Sequence, residues 1–153
     1  MKMTVNTSRF GQIECSPEDL VSFSDGLIGF GGRQRFVMIE HKPGSPFRWM
    51  QSVDDGGLAF LLVDPAEYKG DYAPMMPKRA AHNLKMVEDT PRLVYTIVTI
   101  PQGRPEDMTL NLAAPIVING DNGEAMQVIL EDAEYPVRWR VFAEGTRLSA
   151  AAA

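Results

Sequence analysis

Asp54-Asp55-Gly56-Gly57 separates two apolar runs, WMQSV (49–53) and LAFLLV (58–63), and this pattern leaves the chain few alternatives. Glycine takes the positive φ of a tight hairpin turn without steric cost, and aspartate bonds to its own turn backbone, so the two runs are expected to fold back as antiparallel strands. The same arrangement recurs further on. Asn119-Gly120-Asp121-Asn122-Gly123 stands between IVI and MQVIL and predicts a second antiparallel pair. Short runs rich in Val, Ile, Phe and Leu, closed by Gly, Pro, Asn or Asp, fill nearly the whole chain. They predict strands near 3–6, 11–14, 35–40, 47–53, 58–64, 93–100, 109–112, 116–118, 125–130 and 139–142.

Helical character is confined to two places. Ser16 followed by Pro17 is an N-cap pattern and predicts one short turn over 17–20. KRAAHNLKM (78–86) holds helix formers, with Ala81, Leu84 and Lys85 at helical spacing, but is too short to stand without packing. A chain of 153 residues suits one domain, with roughly 70% of its unfolded surface hidden on folding. The expected fold is mainly β: an antiparallel barrel-like or sandwich single domain with one or two short helices, over 1–149, with 150–153 as a tail.

NLAAPIVING (111–120) is an apolar run with a proline inside it and asparagine at either end. Pro115 cannot donate a ladder hydrogen bond, so it marks a bulge or edge where the strand at 109–112 bends into the one at 116–118.

Charge narrows the function. With 20 acidic and 15 basic residues the formal net charge is −5, and the basic residues are scattered, which disfavours direct nucleic-acid binding and permits a basic protein partner. Arg138, Trp139 and Arg140 form too small a basic and aromatic cluster for an RNA-binding barrel. The single cysteine, Cys15, has no disulfide partner, which fits a reducing compartment. No apolar run reaches the roughly 20 residues of a membrane span, and MKMTVNTSRF lacks the apolar core of a signal peptide, so a cytoplasmic protein with no membrane association is expected.

No catalytic set emerges. His41 sits in a polar turn and His82 beside the alanines of the short helix, with no metal-ligand spacing to each other or to Cys15. Ser45 and Ser52 lack a nucleophile-elbow context. GLIGFGG (26–32) is glycine-rich but has no Lys-Ser/Thr ending and no helix after it, so it reads as turns, not as a phosphate loop. No cofactor or metal is expected. Between 116 and 137 the chain carries Asp121, Glu124, Glu131, Asp132 and Glu134 and no lysine or arginine. That run is either a solvated rim that keeps an edge strand from pairing or an acidic face that steers a basic partner.

Several stretches together resemble the FliW family of flagellar assembly factors: GQIE (11–14), GLIGF (26–30), SPFRWMQS (45–52), LAFLLVDP (58–65), NLAAPIVIN (111–119), MQVIL (126–130) and YPVR (135–138). They stand in the family's order and cover most of the chain. Ile28 departs from the family's usual proline, and Gly31-Gly32 from its usual acidic residue. The resemblance implies a non-enzymatic, barrel-like protein of the bacterial cytoplasm that regulates flagellum biogenesis and translation. Its two implied partners are flagellin before export, toward which it acts as a chaperone, and CsrA, an RNA-binding repressor of flagellin synthesis.

The acidic residues Glu131, Asp132 and Glu134, with Asp121 and Glu124, are the expected CsrA face. For flagellin, the expected surface runs from Asp64 to Tyr72, with Asp64, Tyr68, Asp71 and Tyr72; the alternative is that both tyrosines cover the edge of the core. The competing function is a small-molecule-binding β-barrel or barrel-based enzyme, which requires a deep apolar cavity with convergent polar groups.

Overall fold

The computed structural model describes residues 2–24, 27–28, 34–131 and 134–145. Along them lie β1 (Met3–Thr7), β2 (Gly11–Cys15), β3 (Leu20–Phe23), β4 (Arg35–Glu40), β5 (Phe47–Ser52), β6 (Ala59–Val63), α1 (Lys78–Asn83), β7 (Arg92–Thr99), β8 (Thr109–Leu110), β9 (Ile116–Asn119), β10 (Glu124–Gln127) and β11 (Trp139–Arg140). Single 3-10 turns at Pro17–Asp19, Pro65–Glu67 and Pro105–Asp107 each carry proline in the first turn, where its missing N–H costs nothing.

Strands β3, β4, β5, β6, β7, β9 and β10 close into a seven-stranded barrel, because β7 pairs with β6 on one side and with β9 on the other. All pairs in it are antiparallel except β10–β3, where Glu124 and Ala125 lie beside Ser22 and Phe23 in parallel. The far end of β7 pairs with β8, and β8 with β11, as a short wing. The β1–β2 hairpin is a separate ribbon.

Both turns expected from glycine and asparagine form: β5–β6 across Asp54 to Gly57, and β9–β10 across Gly120 to Gly123. Gly56 is required by close approach, since a Cβ there would collide with the Asn6 carbonyl of the ribbon. Gly123 adopts φ +75°, and a Cβ would lie 2.7 Å from the Leu20 carbonyl. Arg35 locks the first turn to β4 by donating from Nε and Nη2 to Asp54 Oδ1 at 3.1 and 2.6 Å. That hydrogen bond holds the Asp54 carboxyl below its ordinary range.

Side chains alternate across the barrel wall. Inside lie Phe23, Phe36, Met50, Leu62 and Ile116, all fully buried, with Phe23 and Phe36 in edge contact at 5.4 Å. Each such side chain contributes roughly 1.5–3 kcal/mol of burial, so the lumen is the main source of stability. Outside, three apolar patches are covered by other parts of the chain. The β1–β2 ribbon covers Val37 and Leu20; α1 covers Val117 and Val128; the loops carrying Tyr72 and Tyr135 cover Val63, Leu110 and Leu112.

Four sequence expectations are corrected. β3 was not expected: its LVSF follows the Pro17 turn directly and is too short to show a period by itself. The strand expected over 109–112 stops at Leu110, because Asn111 Oδ1 accepts from the Ala113 and Ala114 N–H groups, both at 3.2 Å, and bends the chain. The strand expected over 125–130 ends at Gln127, although Val128 and Leu130 still donate to the Pro115 and Ala113 carbonyls at 2.8 and 2.9 Å. The strand expected over 139–142 ends at Arg140. The inward residues here are Ala80 in α1 and Leu84 at its C-cap. The tail at 150–153 lies outside the described residues.

NLAAPIVING is therefore a corner. Between Val98↔Leu110 and Tyr95↔Ile116 the chain spends five residues opposite two, with Pro115 closing the bulge. At its far end the buried Asn119 donates from Nδ2 to the Leu84 carbonyl at 2.7 Å and accepts from Asp121 N–H at 2.8 Å. One side chain thus fastens the end of α1 to the barrel and shapes the β9–β10 turn.

Asn119→Ala leaves the Leu84 carbonyl without its buried donor, and we expect a loss of about 1–3 kcal/mol. Urea unfolding checks it: the midpoint falls while the m-value stays unchanged.

Candidate partner-binding surface

The outer face of β5 and β6 forms a groove of about 780 Å³. Its wall alternates as β-strands must: Phe47 and Trp49 on β5 stand in register with Val63 and Leu61 on β6, all directed outward. Tyr68, Pro105, Met108 and Phe142 border it on the side of β7. The aromatic groups form a chain of contacts. Phe10 meets Trp49 at 6.0 Å, His41 meets Phe47 at 6.2 Å, and Phe47 meets Tyr68 at 6.3 Å. Trp49 is fixed from two further sides, by the Arg9 guanidinium 4.1 Å above its ring and by His41 Nδ1, which accepts from Trp49 Nε1–H at 3.2 Å.

The electrostatics of the groove oppose those of the chain. Its lining includes His41 and Lys42 and no carboxylate, although the chain carries a formal charge of −5. A negatively charged group approaching here meets the Lys42 ammonium and aromatic edges.

Of the four residues expected to meet flagellin, the structure places one in the groove. Tyr68 is half-buried, lies along the groove and packs on Phe47. Burial pushes its phenol above the ordinary value, with Glu67 adding to the shift. Tyr72 turns the other way, packing on the outer cluster around Leu112 and donating its hydroxyl to the Leu112 carbonyl at 2.7 Å. Tyr135 meets it edge-on at 4.7 Å and accepts from Ala73 N–H at 3.3 Å. Asp64 caps the 3-10 turn by accepting from Ala66 N–H at 2.9 Å. Asp71 is exposed and paired with Lys69 at 2.9 Å. A smaller cavity of about 240 Å³, bordered by Asp64, Tyr72 and Arg92, lies beneath this segment.

The acidic residues divide into two groups. Asp121 sits in the β9–β10 turn and Glu124 opens β10, paired to Lys85 at 3.3 Å. Glu131 and Glu134 are exposed beyond the other end of β10. Asp132 lies outside the described residues. The chain from Glu124 to Glu131 is extended and paired along its course, so the groups stand on the order of 20 Å apart at the rise of a strand.

The hydroxyls and imidazoles of the chain serve turns and packing. Ser45 Oγ accepts from Phe47 N–H, Ser52 Oγ accepts from Asp54 and Asp55 N–H, and His82 is exposed on α1. Among the described residues no three His, Cys, Asp or Glu side chains stand close enough to hold a metal ion.

Phe47, Trp49 and Leu61 line the groove and were not among the site residues expected from the sequence. Their signal was present. FRWMQS and AFLLV place bulky apolar residues on both faces, more than a barrel needs for its lumen alone.

The chain matches the family model described as FliW protein over residues 4–141. It is 33% identical over 138 residues to the flagellar assembly factor FliW of Leptospira biflexa serovar Patoc, covering 90% of each chain. It is 36% identical over 142 residues to the protein of the same name from Desulfitobacterium hafniense strain Y51, covering 93% of each. A solved structure described as the crystal structure of the flagellar assembly factor FliW superposes with a TM-score of 0.87 at 31% identity, over 94% of this chain and 100% of that one.

Tyr72→Phe removes one buried hydrogen bond and should cost about 1 kcal/mol at pH 8. Burial raises the Tyr72 phenol well above its ordinary value of 10.0, with Tyr135 adding to the shift. A raised folded-state value means a contribution fully present below about pH 10 and lost as pH rises beyond it. Urea midpoints of the native and Tyr72→Phe chains should therefore converge above that pH.

Proposed function

The chain belongs to the FliW family, and from that membership we propose that this flagellar assembly factor works by holding other polypeptides, flagellin before export and the repressor CsrA, and transforms neither. Binding CsrA relieves its repression of flagellin synthesis. The site of action is the cytoplasm; no helix among the described residues is long and apolar enough to cross a membrane. The observation that carries this reading is the groove. It exposes Phe47, Trp49, Leu61 and Tyr68 along one continuous surface, and tyrosine and tryptophan are the residues that most often anchor protein interfaces.

Flagellin fits the groove, where Tyr68 supplies a ring packed at its base and a hydroxyl at its edge. CsrA must carry basic surface to hold RNA phosphates, and Glu131 and Glu134 offer exposed acidic groups to meet it. Exchange between the two partners requires a free-energy coupling between their sites. A physical route exists. Tyr135, one residue from Glu134, packs on Tyr72, and Tyr72 ends the turn that carries Tyr68.

A second reading has one observation in its favour: a volume near 780 Å³ lies within the range of about 300–1,000 Å³ common to small-molecule pockets. Against it, the lining is largely apolar, and His41, Lys42 and Ser45 belong to a single loop. Thermal stabilisation by a metabolite and not by flagellin would favour that reading.

Co-purification of the chain from cells with and without flagellin is the direct test: CsrA should be recovered with it mainly when flagellin is absent. Tyr68→Ala should weaken flagellin binding at least tenfold, whereas Tyr72→Phe should leave it unchanged. Glu131→Lys with Glu134→Lys should weaken CsrA binding strongly at low salt and less at high salt. The same experiment with Asp121→Lys and Glu124→Lys tells which end of β10 CsrA uses.

A further inference from the structure

The outer coat of the barrel has a recess where two of its apolar clusters meet. The cavity of about 240 Å³ lies between the cluster that includes Tyr72 and the one beneath α1. Its floor is the outer face of the sheet: Val94 on β7 stands in register with Val117 on β9, and Val128 follows β10. The 3-10 turn at Pro65 and Ala66 forms one wall, and Pro74 and Met76, in the strap that leads to α1, form another.

The recess stays open for reasons of covalent structure and hydrogen bonding. Pro65, Pro74 and Pro115 all border it, and each fixes its own φ, which stiffens the backbone of the walls against folding inward. Tyr72, the largest side chain on the rim, is tied by its hydroxyl to the Leu112 carbonyl at 2.7 Å and does not swing in to fill the space. Met76 is unbranched, so the wall it forms adapts to the shape of an occupant.

Two charged groups stand on the rim. Asp64 spends its Oδ1 on the Ala66 N–H at 2.9 Å. Arg92 is exposed, and among the described residues no carboxylate pairs with its guanidinium. The β6–β7 register continues to put Asp64 beside Tyr95, so on the order of 10 Å of strand separates it from Arg92. An anion held by Arg92 is therefore about a Debye length from Asp64 and is only weakly opposed by it. The planar fork of a guanidinium matches a carboxylate.

We propose that this recess binds a small apolar carboxylate, with its hydrocarbon body against Val94, Val117 and Val128 and its carboxylate on the Arg92 guanidinium. An apolar lining with one or two placed polar groups is the usual make-up of a small-molecule site. A dry apolar cavity of about 150 Å³ takes one benzene ring, so this one takes a body of roughly six to nine carbon atoms. The recess shares no lining residue with the groove, and the inference stands apart from the reading that the groove binds flagellin.

The test is titration of the full chain with isocaproate, followed by thermal unfolding and by the methyl NMR signals of valine and leucine. Isohexanol and isohexylamine, which keep the hydrocarbon body and replace the carboxylate, are titrated beside it. Isocaproate should raise the melting temperature in a saturable way and shift the methyl signals of Val94, Val117 and Val128. The alcohol and the amine should bind at least tenfold more weakly. Arg92→Gln, at an exposed position, should weaken isocaproate binding at least tenfold with circular dichroism unchanged. Leucine, which is isocaproate with an added ammonium group, separates the two sources of such a ligand. Binding equal to that of isocaproate supports a free amino acid as the occupant, and weaker binding supports a simple organic acid. Equal affinity for isohexanol, or unchanged affinity in Arg92→Gln, overturns the inference. Methyl shifts confined to Leu61 in the groove overturn it as well, as does the lack of saturable binding at millimolar isocaproate.

Discussion

Everything in this molecule depends on β7 serving three neighbours. Arg92 to Tyr95 pair with β9, Thr96 and Ile97 with β6, and Val98 and Thr99 with β8. The first two contacts shut the barrel and remove two open edges at once, which is the chief reason to close a sheet. The third contact carries the short wing on the same edge of β7 that β9 uses.

The corner at 111–115 is what lets one strand do both. A continuous strand from Thr109 to Asn119 would pair with β7 along its full length and hold it straight. Asn111 prevents this by capping the Ala113 and Ala114 N–H groups, and Pro115 offers no N–H to rejoin the ladder early. The chain returns to β7 only at Ile116, displaced by the extra residues. NLAAPIVING thus carries no chemistry of its own: it is a hinge point of architecture, and Asn119 at its far end ties in α1.

How much of this could be read in advance follows from how local each cause is. Turns were legible, because Asp55 and Asn119 each accept from a turn N–H two residues on. Pro115 was legible for the same reason. β3 was not, since four residues acquire strand character only by lying between β4 and β10, which come from distant parts of the chain. The acidic residues show the same limit. Their proximity in sequence suggested one face, but the extended course of β10 carries Glu131 far from Asp121. Tyr68 and Tyr72 looked equivalent, four residues apart and both amphipathic. A tight turn between them, closed by Tyr72 N–H on the Lys69 carbonyl, sends one to the groove and the other to Leu112, and no property of either side chain foretells that.

This division of labour between the two tyrosines bears on the proposed exchange of partners. The groove side is attached to the barrel through Phe47, on a strand whose neighbours are all paired, so it is stiff. The Tyr72 side is attached through Tyr135, in a segment whose regular pairing is limited to the two residues of β11. A ligand that draws Tyr68 toward the groove pulls on the 65–72 turn, and the softer of its two attachments yields first. That attachment is the segment bearing Glu134. A small displacement is sufficient, because charge complementarity falls with distance and exposed carboxylates hold a basic partner only while several act together. On this argument the coupling needs no wire through the lumen; it needs one stiff contact, one compliant contact and a short turn between them.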